Sequence, residues 1–204
     1  MLQNRIDPQG NIICTSARGS WMGNRGQLHD KGKIILRSFK LKAWLTCVLK
    51  FKDRHRKVMA PNLYTELFFL DEATAFSAGH RPCFECRRED AERFKFYWLK
   101  GNPEYGFSSK TSICEIDEIL QTERIGQQRN KVTFNASTNE LPDGTFIMLD
   151  GLPYLIAGHM LHHWTPFGYE PGIPLSHSRV VVLTPKSTVN VFRAGYLPQM
   201  DIFK

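Results

Sequence analysis

The sequence predicts an α+β protein: a mixed or antiparallel sheet with short helices around a thiolate knuckle, then a smaller β-rich C-terminal part. Three observations carry this. Apolar runs of strand length at 43–51 and 67–70 alternate with segments of helical period at 89–100 and 112–120. Asp150-Gly151 stands between two apolar runs and marks a hairpin. Cys83-Phe84-Glu85-Cys86 has the spacing at which two thiolates of one knuckle meet one zinc ion.

Taken in order, residues 11–14 read as a short strand. Residues 18–26, rich in glycine, read as an ordered loop carrying Arg18, Arg25 and Trp21, where glycines let backbone N–H groups approach an anion and an indole could stack on a base. Residues 43–51 have the β-branched and aromatic content of a strand. The charged run at 52–57 then turns into Val58-Met59 as a hairpin, and 64–70 is the next strand. Asp71 is placed to cap a short alanine-rich helix, Gly79 to end it in the left-handed region, and Pro82 to stop its resumption. Helices are expected at 89–100 and 112–120, with Cys114 packed inside the second. A polar stretch at 126–139 is the expected boundary between a basic domain of residues 1–128 and a β-rich part of residues 129–204, although a single domain fits the same pattern. A strand at 131–134, the 150–151 hairpin, a strand at 180–183 and a helix at 187–194 complete the chain. Phe76-Ser77-Ala78-Gly79-His80-Arg81-Pro82 is echoed by Phe192-Arg193-Ala194-Gly195-Tyr196-Leu197-Pro198 without the cysteines. The echo is read as repeated helix-ending chemistry, not duplication.

Charge is unevenly spread. Residues 1–60 hold 13 Lys and Arg against 3 Asp and Glu, whereas residues 61–204 hold 14 against 17. A basic N-terminal third suggests a polyanion, most often nucleic acid. The expected contacts are Arg18, Arg25, Lys52, Arg54, Arg56, Lys57 and, beside the cysteines, Arg81, Arg87 and Arg88. Five cysteines without a framework spacing favour reduced thiols in a cytoplasm. No apolar run of about 18 residues predicts a membrane span, and the N-terminal residues carry no apolar signal region.

Zn2+ is the expected cofactor at Cys83 and Cys86. Cys47, in the strand upstream, is the first candidate to join them, followed by Cys14 and His29. His80 is expected to point away, and His55 sits in the charged turn. Residues 67–86 resemble the second half of the Ada-type metal-binding domain of the bacterial methyl-phosphotriester DNA repair protein. The shared pattern is a Phe-rich strand (Phe68-Phe69), an Ala-rich helix, then Ala78-Gly79-His80-Arg81-Pro82-Cys83 and Cys86. The resemblance implies zinc at Cys83 and Cys86 and favours DNA over RNA. The sequence departs from it in lacking the family's first ligand pair; Cys47 alone is placed to serve, and methyl transfer would need Cys47 as acceptor. The chain as a whole resembles a widespread family of bacterial proteins, which implies no activity.

Three functions fit these residues. The first is a zinc-stabilised nucleic-acid-binding protein. The second is a nucleic-acid-processing enzyme, for which His159, His162 and His163 with Asp150 offer a metal-and-base constellation. The third is a protein-interaction module whose zinc only holds the fold.

Overall fold

The computed structural model describes residues 1–53 and 57–202. Its elements, in chain order, begin with β1 (Gln3–Ile6), β2 (Ile12–Cys14), β3 (Trp21–Asn24), β4 (Leu45–Cys47), β5 (Leu67–Phe69), α1 (Glu72–Ser77) and β6 (Arg81–Pro82). Then come α2 (Arg88–Gly101), α3 (Ile113–Arg124), β7 (Phe134–Ser137), β8 (Phe146–Leu149), β9 (Leu152–Ala157), β10 (Met160–Thr165), β11 (Gly168–Tyr169), β12 (Ile173–Pro174), β13 (Arg179–Val182) and α4 (Lys186–Arg193). The α+β class is as the sequence predicts, with two sheets. The first is mixed, in the order β2-β1-β5-β3-β4-β6; the second is antiparallel, in the order β11-β10-β9-β8-β13-β7, with β12 on β10. Among the described residues no helix is long and apolar enough to cross a membrane.

Local rules explain most of these elements. Asp71 caps α1, its carboxylate accepting from the Thr74 N–H at 2.8 Å. Gly79 ends the turn at φ +88°, and a Cβ there would meet the Arg124 side chain at 2.7 Å. Ser112 and Glu115 form a capping box at the start of α3. The Asp150-Gly151 turn joins β8 to β9 with Leu149 opposite Leu152. The echo is resolved as helix-ending chemistry: α1 and α4 both end in Ala-Gly with the glycine at positive φ. Phe76 and Phe192 meet edge to face at 5.6 Å in one cluster, with Phe94 and Trp98 of α2, Ile116 and Leu120 of α3 and Tyr196.

The structure differs from the sequence reading at five places. The strand expected at 131–134 begins only at Phe134, as β7. The glycine-rich stretch at 18–26 contains β3, a central strand. Gly23 is what admits it, because a Cβ there would lie 2.4 Å from the Phe69 ring. The strand expected over 43–51 is only β4, since the ladder ends with Cys47 opposite Met22 and Leu49 and Lys50 are exposed. Val58-Met59 is no strand of a hairpin: Met59 is buried at φ +53° and its N–H donates to the Glu66 carboxylate at 2.8 Å. Cys114 is exposed on α3, not packed inside it.

The first sheet has two unlike faces. Gly23, Thr46, Leu67 and Phe69 are buried on the side that meets α1. Met22 stands opposite both Phe68 and Cys47, so these three share the other face. Helix α1 is buried on every side: Ala75 packs with the first sheet, Ala73 with Phe146, Leu155 and Trp164 of the second, and Phe76 with the helices. The side chains of residues 1–128 and 129–202 therefore interdigitate around it.

Asp71 also accepts from Thr74 Oγ1, the Tyr169 hydroxyl and the Asp201 N–H. Asp71→Ala leaves these donors unpaired and uncaps α1. It is expected to lower stability by about 2–4 kcal/mol in urea unfolding.

Candidate metal centre

The cysteines of the knuckle are placed by backbone pairing. Cys47 ends β4. Cys83 follows β6, which runs parallel to β4, and its N–H donates to Thr46 O at 3.0 Å. The Arg87 N–H donates to Cys83 O at 2.9 Å, which curls the chain so that Cys86 returns to the same spot before α2 starts. The ligand atoms of Cys47, Cys83 and Cys86 all lie within 4.8 Å of one another, a group that could hold a metal ion. Thiolates about 2.3 Å from a tetrahedral ion stand about 3.8 Å apart, so the trio is near coordination geometry as it folds.

The electrostatics of the trio suit a cation. Cys83 is pushed far down by hydrogen bonds from Cys47 and then Cys86. Cys47 is pushed far up, first by those same hydrogen bonds to Cys83 and Cys86, then by burial. Backbone N–H groups of Glu85 and Cys86 point at Cys83 and that of Val48 at Cys86, the support a thiolate knuckle needs.

Other sequence candidates lie elsewhere. Cys14 is exposed on β2, at the opposite edge of the sheet from β6. His29 is buried between Thr65 Oγ1 and Ala60 O. His80 is buried against Trp44 and Phe69, accepts from Arg25 Nε at 3.1 Å, and is held well below its usual pKa by burial and then by Arg25. His55, Arg54 and Arg56 lie outside the described residues. The histidine constellation does not assemble. His162 and His163 are neighbours on β10 and face opposite ways; His162 packs on Gly172, whereas His163 lies beside the Tyr154 ring and pairs with Glu170 at 3.0 Å. His159 is exposed in the preceding turn.

The arginines divide sharply. Arg25 is fully buried, stacked over Trp44 at 3.8 Å; Arg124 lies over the same indole at 4.2 Å. Arg81 forms a buried bidentate pair with Asp117, at 2.8 and 2.7 Å. Arg87 pairs with Glu72 and Asp90 and covers the Trp21 ring at 4.0 Å, so that indole is not open to a base. Arg25, Arg81 and Arg87 are therefore interior groups, and Arg18, Lys52, Lys57 and Arg88 are the exposed ones among the described residues of the expected set. Arg88 pairs with Glu92 along α2.

Beside the cysteines lies a cavity of about 500 Å³ that sequence reasoning does not anticipate. Its floor is the outer face of the first sheet: Met22, Phe68 and Cys47 in one cross-strand row, Asn24 and Leu45 in the next. Glu66 lines it too, and exposed Lys50 and Lys52 stand at its rim with Asp53 and Glu85. A period-2 pattern on β5 would place Glu66 and Phe68 on one face, but only the strand pairing brings the cysteines there. Comparisons of the chain with protein-family models, curated proteins and solved structures gave no match.

The purified protein is expected to carry one metal ion per chain, by elemental analysis, and Cys83→Ser to lose it and to melt at the temperature of the chelated protein. A second expectation concerns pH. Lys131 donates to Ser77 O at 2.7 Å and is pushed down to about 7, first by burial and then by Arg25. Its ordinary value is higher, so from about pH 7 to about pH 10 the unfolded chain holds the extra proton and stability rises with pH. Urea unfolding across that window is expected to lose this slope in Lys131→Met.

Proposed function

We propose that Cys47, Cys83 and Cys86 bind zinc and that the protein uses the surface around this centre to bind nucleic acid, DNA ahead of RNA. Thiolate donors in a tetrahedral setting favour zinc among the common divalent ions. The observation that carries the reading is the position of the trio. It does not sit sealed in the core but adjoins a cavity rimmed by Lys50 and Lys52, within the basic N-terminal third. Arg18 and Lys57 add exposed positive charge from the same third. The Ada-type pattern of residues 67–86 supports DNA as the polyanion. A cavity with Phe51, Tyr64 and Phe68 in its lining and lysines at its rim suits a chain of phosphates and bases, since the charge tracks the backbone and rings accept stacking.

Fluorescence anisotropy with single-stranded and duplex oligonucleotides across a salt series tests this. The expected result is affinity that falls with salt. Reversing Lys50, Lys52 and Lys57 to Glu is expected to weaken binding more than tenfold and to flatten the salt slope by about 0.9 for each duplex phosphate no longer neutralised. No binding at low salt, or binding indifferent to the reversals, would overturn the nucleic-acid reading and leave the metal centre to be judged separately.

A further inference from the structure

The knuckle brings three sulfurs together, and among the described residues no fourth ligand joins them. A zinc site that only holds a fold is closed by four protein ligands, whereas three ligands leave a position for an exchangeable molecule. Cys47, Cys83 and Cys86 all line the same cavity, so among the described residues the trio has open space beside it.

A second observation points to what enters. Glu66 lines this cavity and is only 4% exposed. One carboxylate oxygen accepts from the Met59 N–H at 2.8 Å; the other, Oε1, is buried with no hydrogen-bond partner among the described residues. Buried polar atoms are nearly always partnered, and a buried carboxylate oxygen is an acceptor waiting for a donor. Between Glu66 and the cysteines the cavity floor is Asn24, Met22 and Phe68, with the Arg5 guanidinium 4.9 Å from the Phe68 ring centre.

From this juxtaposition we infer that the centre is a ligand site. Cys47, Cys83 and Cys86 leave one metal position open to the cavity, and the cavity takes a base-sized planar heterocycle that offers a lone pair to the metal and an N–H to Glu66. This rests on the zinc reading above and specifies what the site holds. A free nucleobase or nucleoside and a base turned out of a single strand share the required chemistry. Planar rings lie flat on Phe68 and Met22; the ring nitrogen supplies the lone pair; the exocyclic or ring N–H meets Oε1. The volume of about 500 Å³ accommodates one such ring with room for its sugar.

X-ray absorption on the zinc protein and optical titration of the cobalt-substituted protein test the site directly. The expected metal shell is three sulfurs and one light atom, and azide is expected to shift the cobalt d–d bands saturably. Imidazole, which carries both a lone pair and an N–H, is expected to bind as well, and so are cytidine or a short single-stranded oligonucleotide; a shift with cytidine alone assigns the free nucleoside, and one with the oligonucleotide alone assigns the extruded base. Glu66→Gln keeps an acceptor for Met59 but turns a donor into the cavity. It is expected to weaken imidazole about tenfold and leave azide, which has no N–H, unchanged. Zinc content and circular dichroism of the variant confirm that it is folded. A four-sulfur shell, an imidazole shell that disappears in His55→Ala, or d–d bands indifferent to azide overturns the open position while leaving zinc binding intact. Equal weakening of azide and imidazole in Glu66→Gln, or no shift with either nucleic-acid probe, overturns the ligand assignment. Absence of zinc overturns both readings.

Discussion

Helix α1 (Glu72–Ser77) has no solvent face, and this constrains the rest of the chain. Alanines at 73 and 75 let it lie between two sheets at close range, but its polar groups must then be met by other segments. Asp71 is met by Tyr169 and Asp201, Glu72 by Arg87, Tyr196 and the Gln199 N–H, Thr74 by the Trp164 indole, and Ser77 by Pro8 and Lys131. Those partners come from the N-terminus, the knuckle, the second sheet and the C-terminal segment. A short helix thereby fixes where β6 begins, and β6 fixes Cys83.

The same constraint explains the arginines. A buried carboxylate such as Glu72 needs a cation, and a planar guanidinium can satisfy it while stacking on a ring, as Arg87 does on Trp21. Arg25 and Arg124 both lie over the Trp44 ring without a carboxylate of their own; their charge is answered by the Gly10 and Gly79 carbonyls, the Gln121 amide and the indole face. Burial lowers the pKa of both, most strongly at Arg25. Arg81 and Arg87, on either side of the cysteines in sequence, are thus structural ties between the knuckle and α1, α2 and α3. The net charge of residues 1–60 overstates the positive surface, because part of it lies inside.

What is legible in the sequence is what local chemistry decides. Asp71, Gly79 and Asp150-Gly151 each act through neighbours within a few residues, and each is where the sequence places it. Cys47 can be singled out because it ends a strand upstream of Cys83 and Cys86. What is not legible depends on register. β3 is hidden because Gly19 and Gly23 look like loop residues until the Phe69 ring and backbone are laid over them. Arg25 looks like a surface cation until Trp44 and His80 close around it. The division expected near residue 128 marks a change in composition, yet Phe76, Phe94 and Phe192 from both sides of it share one cluster. The cavity is the extreme case, since its floor joins residues 22, 47 and 68, which no sequence window contains.

That floor also explains how a metal centre and a cavity come to share one place. A sheet whose two faces were both packed would leave Cys47 enclosed, and the knuckle would be a rivet. Here α1 takes one face only. The other face begins where β4 leaves the ladder after Cys47, and the chain that follows arches away through Lys50 and Lys52 instead of continuing as a strand. Ending β4 early therefore does two things at once. It leaves Cys47 as the last paired residue, on the same face as Met22 and Phe68, and it carries the residues that follow to the wall of the cavity. The residues after Cys47 border the cavity, so the opening of this sheet face follows from the path the chain takes once β4 ends.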